Sequence, residues 1–243
     1  MMNRMKLKSY AVFCFIFTST YELGSYIFSI PHWHQYSKPF IMPSLGLYYF
    51  LSVKWNSTSA LVLGAILFSF LGDSFLMYEA KNEIYFMLGL GSFLLAHIFY
   101  VIAYPRHREE MENDQLANVH IVRMAIPVLM AGTGLIAILY PALGELRVPV
   151  VIYALVLMFM VLQAIFRYRK TSTKSFVMVF AGALLFMISD SLLAVNKFIQ
   201  PIQWGGFFIM STYILAQLLI IQGLIFHAEV LVEKEKSFSQ NQF

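Results

Sequence analysis

Long apolar runs broken by short polar stretches make up the whole chain. Eight of the runs, most near the roughly 20 residues a helix needs to cross a bilayer, cover about 11–30, 39–53, 60–78, 84–104, 119–140, 148–166, 176–195 and 205–226. The breaks carry charge and turn chemistry: PHWHQYSK after the first run, PRHREEMENDQLAN after the fourth, and a polar tail from about 228 that ends KEKSFSQNQF. The first run follows MMNRMKLK but outlasts the h-region of a secretory signal, and no A-x-A site stands near its end, so it reads as a span. The pattern predicts an all-α, polytopic membrane bundle, a single transmembrane domain over 1–243 with about eight helices.

Composition agrees with that reading. Hydrophobic residues make up 59% of the chain and charged residues 12%, against about 25% charged in soluble domains. The net charge of +4 does not describe a nucleic-acid binder, because the positives sit at the ends of apolar runs. With the amino terminus inside, the inner segments hold Arg4, Lys6, Lys8, Lys54, Arg106, Arg108, Arg167, Arg169, Lys170, Lys174, Lys234 and Lys236. The outer segments hold only Lys38, Lys81, Arg147 and Lys197. The positive-inside rule then puts both termini in the cytoplasm, and the protein in the inner membrane if the cell is bacterial. The single cysteine, Cys14, permits neither an intrachain disulfide nor a cysteine metal cage.

Two carboxylates lie within these runs, Asp73 in FSFLGDSFLMY and Asp190 in FMISDSLLAV. An ionisable side chain at the centre of a span costs ~2.5–3.5 kcal/mol on insertion scales and is a functional residue by default. Both helices run outward and place their aspartate near the outer end, at depths that let the two meet. The copies are offset by four helices, an even number, which suits a parallel repeat. The competing reading is interhelical hydrogen bonding that only holds the bundle together.

Other polar residues in the spans join the list of candidates. His97, Tyr100 and Tyr104 share one helix face, with Tyr104 close enough to the inner boundary to read as an interface anchor. On the last helix Ser211, Tyr213 and Gln217 interrupt the apolar run, and Tyr213 and Gln217, four apart, share a face. Asn196 and Lys197 close the seventh run, and Lys38 opens the second; either lysine offers a cation to a lipid phosphate or simply snorkels. Glu22 either joins the site or seals a helix contact. No H-E-x-x-H, G-x-S-x-G or P-loop pattern occurs. A metal held by Asp73, Asp190 and His97 is conceivable by ligand type, but the usual multi-histidine spacing is missing, so neither metal nor cofactor is expected.

The segments LGDSFLMY, AHIFY, ISDSLLAVNKF and STYILAQ, in this order, together with Lys38-Pro39, resemble the YhhN-type lysoplasmalogenase family from about Lys38 to Gln222. The resemblance implies an eight-helix enzyme acting on a lysophospholipid with a vinyl ether chain. The products would be a fatty aldehyde and glycerophosphoethanolamine or glycerophosphocholine. It gives Glu22 no role. The chemistry needs a carboxylic acid to protonate the carbon beta to the ether oxygen and a carboxylate to steady the oxocarbenium ion or activate water, a division of labour shared with glycosidase pairs. Asp73, Asp190 and His97 are the expected catalytic group. Lys38, Tyr100, Asn196, Lys197, Ser211, Tyr213 and Gln217 are expected around the substrate. A proton- or cation-coupled transporter using the same aspartates is the alternative, and a non-catalytic lipid-binding protein a third. Oligomeric state leaves no mark in the sequence.

Overall fold

A computed structural model describes residues 2–30, 33–107 and 115–240. Among them are eight α-helices and no strand: α1 Met2–Ile27, α2 His34–Ser52, α3 Ser57–Leu76, α4 Glu83–Arg106, α5 Gln115–Leu139, α6 Arg147–Ile165, α7 Thr173–Phe198 and α8 Gly205–Gln240. Two short 3-10 turns join α5 to α6.

Local chemistry explains several of the boundaries. Asn56 opens α3 with a reciprocal capping box, its Oδ1 accepting from Ser59 N at 2.7 Å while Asn56 N donates to Ser59 Oγ at 2.8 Å. Asn82 caps α4 through Ile84 N at 2.9 Å. Pro39 and Pro43 lie inside α2 and Pro127 inside α5, which neighbouring helices make tolerable in a membrane bundle.

Six of the helices are long and apolar enough to cross a membrane: Ser57–Leu76, Glu83–Arg106, Ala117–Ala142, Gly144–Ile165, Thr173–Phe198 and Gly205–Glu233. The chain is an integral, multi-pass membrane protein. The α1 and α2 helices lie outside that set; both carry charged, hydroxyl and amide groups that dilute their apolar character. Counting them as spans remains a reading of the charge pattern. At the other end the structure corrects the expected boundary near 226, because α8 runs on to Gln240. No glycine or proline follows Gly223, and the Glu and Lys residues beyond it are good helix formers. Most of the polar loop after α4, 108–114, and the tip of the tail, 241–243, lie outside the described residues.

The bundle closes tightly where small residues face a neighbour. A Cβ on Gly182 of α7 would stand 2.8 Å from the Ala216 carbonyl oxygen of α8, so only glycine permits this approach. On α3, a Cβ on Gly72 would meet the Phe93 ring at 2.6 Å. That contact draws α4 onto α3 beside Asp73.

Candidate active site

Asp73, 4% exposed, faces α8, where the Tyr213 hydroxyl donates to its Oδ2 at 2.8 Å. One helical turn away, Gln217 Nε2 donates to Ser69 Oγ at 3.0 Å, and its Oε1 accepts from the Tyr100 hydroxyl at 2.8 Å. Asp73 and Ser69 are four apart on α3, as are Tyr213 and Gln217 on α8, so the i, i+4 spacing of two helices matches rung by rung.

Asp190 belongs to a second group. The Tyr153 hydroxyl of α6 donates to its Oδ2 at 2.5 Å, and His97 Nε2 of α4 stands 3.7 Å from the same oxygen. That distance is too long for a hydrogen bond. The His97 ring is fully buried against Tyr153, 5.2 Å between centroids, and Phe186, 4.8 Å. Neither of its nitrogens has a hydrogen-bond partner among the described residues. A buried imidazole left this way is a group with bonding capacity in reserve for a substrate or water.

Phe93 and Phe186 form an aromatic partition where the two groups adjoin. Phe186 packs 5.4 Å from Tyr213 as well as against His97, and Phe93 packs 5.8 Å from Tyr213. The bundle thus brings Asp73 and Asp190 into one neighbourhood, but no hydrogen bond joins their carboxyl groups among the described residues. Each is held by its own tyrosine. Asp190, not Asp73, lines an apolar slot of about 60 Å³ walled by Leu76, Leu90, Phe93, Leu135, Val150 and Leu157 among others.

Where α1 meets the start of α2 lies a third cluster that sequence reasoning only half saw. Glu22 is fully buried; its Oε2 accepts from Ser37 Oγ at 2.5 Å, and its Oε1 lies 2.9 Å from His34 Nδ1. These bonds pin the start of α2 to α1. Lys38, one turn farther along α2, is half-buried within electrostatic reach of Tyr26, Asp73, Glu22 and Glu79. Glu22 therefore both seals a helix contact and sits beside the Asp73 group.

Other candidates have local engagements. Lys197 pairs with Glu79 at 3.2 Å and lies over the Phe86 ring at 4.8 Å. The Asn196 carboxamide accepts from Ile202 N at 2.8 Å and shapes the α7–α8 turn. Ser211 bonds the Phe208 carbonyl of its own helix at 3.2 Å. Tyr104 overturns the interface expectation: it is fully buried, 5.6 Å from the Tyr100 ring, because its helix face is the one turned into the bundle. Tyr153 was missed, although it is the only polar side chain between Val148 and Leu162 and a buried phenol needs a partner. Among the described residues no three His, Cys, Asp or Glu side chains gather as a metal requires.

Packed apolar helices that hold two aspartates, each bound by a tyrosine hydroxyl, define a polytopic membrane protein. The chain belongs to the YhhN family, whose model matches residues 33–224. That span contains every residue of the two aspartate groups and excludes α1 with Glu22. Human lysoplasmalogenase TMEM86A is 32% identical over 160 residues, 64% of this chain and 61% of that protein. Human lysoplasmalogenase TMEM86B is 30% identical over 181 residues, 74% of this chain and 70% of that protein. The lysoplasmalogenase of Mycobacterium tuberculosis is 30% identical over 147 residues, 60% of this chain and 53% of that protein. This chain thus spans about three fifths of the length of human TMEM86A, 61%. No solved structure matches it.

Proposed function

We propose that this protein is a membrane-embedded hydrolase that cleaves the vinyl ether bond of lysoplasmalogens, as the names of its relatives indicate for them. The observation that carries the proposal is the two aspartates, Asp73 buried and Asp190 partly buried, each fixed by a tyrosine hydroxyl, with Asp190 lining an apolar slot.

Asp190 is the proton donor in this reading, because the hydrocarbon slot reaches that carboxyl. It protonates the alkenyl carbon beta to the ether oxygen, leaving an oxocarbenium ion whose charge Asp73 faces. Water adds to the cationic carbon and gives a proton to Asp73. The hemiacetal then collapses: its C–O bond to glycerol breaks, Asp73 returns the proton to the glycerol oxygen, and the hemiacetal hydroxyl proton passes to Asp190. The net change is one water added and an aldehyde and an alcohol released. Tyr213 and Tyr153 hold the carboxyls in place, and His97 positions water or the ether oxygen with its unused nitrogens. Lys38, next to Asp73, receives the phosphate of the head group.

Aldehyde release from a defined lysoplasmalogen by the purified protein in detergent is the test. Hydrolysis proceeds there without a sealed membrane. A protein that moves protons or cations across liposomes and releases no aldehyde is a transporter instead.

A further inference from the structure

The slot at Asp190 has a neighbour that opens to the lipid. A groove of about 590 Å³ lies between α5 and α7, walled by Met130, Gly134, Leu184 and Ile188 among others. Every residue lining it is apolar except Ser191, whose hydroxyl is turned back to the Met187 carbonyl at 2.6 Å. Leu135 and Ser191 line both this groove and the inner slot. The two cavities therefore share a wall made by one half-buried leucine and the residue next to Asp190. The leucine belongs to the least buried of the six candidate spans: 11% of an 18-residue stretch of Ala117–Ala142 is buried, against 39% to 56% in the other five.

We infer that the α5–α7 groove is a lateral portal through which the hydrocarbon chain of a single-chain lipid passes from the membrane into the slot at Asp190. The identity of that occupant rests on the hydrolase reading above. A lipid tail entering through the outer mouth would leave hydrocarbon and pass Lys38, Glu22 and the Lys197–Glu79 pair. The groove offers methylenes an apolar surface up to Ser191, the residue next to the carboxyl that meets the vinyl ether. The two residues it shares with the slot, Leu135 and Ser191, distinguish it from an ordinary lipid-facing furrow.

The test uses a saturated 1-O-alkyl lysophospholipid with a diazirine in its chain, which has no vinyl ether to cleave, on the full-length protein in micelles. Saturable photo-adducts are expected on 127–138 of α5 and 184–195 of α7. Saturable adducts confined to α1, α2 and α3 overturn the portal. Two glycines with open space at the Cβ position supply a matched pair of blocks: Gly134 in the groove and Gly91 on α4 outside it. Gly134→Trp should lower kcat/KM about tenfold relative to Gly91→Trp, with a loss that grows with alkenyl length. Equal activity and equal labelling in the two variants overturn the inference. Wild-type protein that labels on α5 and α7 yet releases no aldehyde upholds the portal and sinks the hydrolase reading. Aldehyde release with labelling elsewhere does the reverse.

Discussion

Tyr153 donates a 2.5 Å hydrogen bond to Asp190 across the α6–α7 interface, from a helix that has no other polar side chain between Val148 and Leu162. The hydroxyl fixes one carboxyl oxygen, and the ring packs against His97. Tyr153→Phe keeps the ring and removes the bond. It should lower kcat roughly 10- to 100-fold with little change in KM, as expected for loss of a group that aligns a proton donor. Steady-state aldehyde release reads this out, and an unchanged kcat would take Tyr153 out of the mechanism.

Glu22 gives a second expectation, since it lies outside the family match yet is fully buried. Glu22→Gln keeps the shape but removes the charge facing Lys38 and leaves one of its partners unsatisfied. Unfolding in detergent should become easier by about 1–3 kcal/mol. KM should rise more than kcat falls, because the variant loosens Lys38 and not the aspartates. A fall confined to kcat would place Glu22 in the chemistry itself.

At the opposite end a buried arginine ties four segments together. Arg167 donates to the His107 carbonyl at 2.5 Å and to Ser175 Oγ at 2.8 Å, and Ser175 in turn donates to the Gly223 carbonyl at 2.7 Å. His107, just beyond α4, is pushed down to about 4 by burial, against the pull of its Ala103 hydrogen bond, with Arg167 and His227 adding to the depression. The folded imidazole stays neutral while the unfolded one titrates near 6.5, so the unfolded state binds the extra proton between those values. Stability is therefore full above about pH 6.5 and is lost as pH falls toward about 4. Melting temperatures across this window should drop more steeply for the wild type than for His107→Asn. Parallel curves would contradict the assignment.

The fold was largely legible because spans are written in long apolar runs. Six of the eight helices begin and end close to the expected limits; α1 starts at Met2, before the expected 11, and α8 overran because its polar end consists of helix formers. Asp73, Asp190, His97, Tyr213 and Gln217 stood out because each is expensive in an apolar run, and the bundle does gather them. What sequence spacing left open was pairing between helices. It did not reveal that Tyr153 serves Asp190 while Tyr213 serves Asp73, nor that Phe93 and Phe186 stand where the two groups adjoin. Nor did it reveal that Lys197 is occupied by Glu79, or that Asn196 serves a turn. Those assignments depend on which faces meet, and glycines such as Gly72 and Gly182 decide that by allowing close approach.

Orientation follows from charge alone and is open to a direct check. With Cys14 replaced by serine, single cysteines near Lys170 and in the tail should react with an impermeant thiol reagent from the cytoplasmic side. One near Lys81 should react from the other side. Labelling near Lys170 from outside would invert the assignment and put the Glu22–Lys38 cluster at the inner face.

The central claim is that Asp73 and Asp190 act as one catalytic unit. Asp73→Asn and Asp190→Asn preserve size and some hydrogen bonding but cannot exchange a proton, so specific activity per folded protein should fall by at least about 1,000-fold in each. The double variant should be scarcely worse than either single one, because residues that work as a unit are not additive. All three should extract and melt as folded protein, since removing an intramembrane charge relieves a cost. The decisive measurement is aldehyde release from a defined lysoplasmalogen, normalised to folded protein, for the two single variants and the double. Near-wild-type specific activity in either single variant, or losses that multiply in the double, would contradict the account.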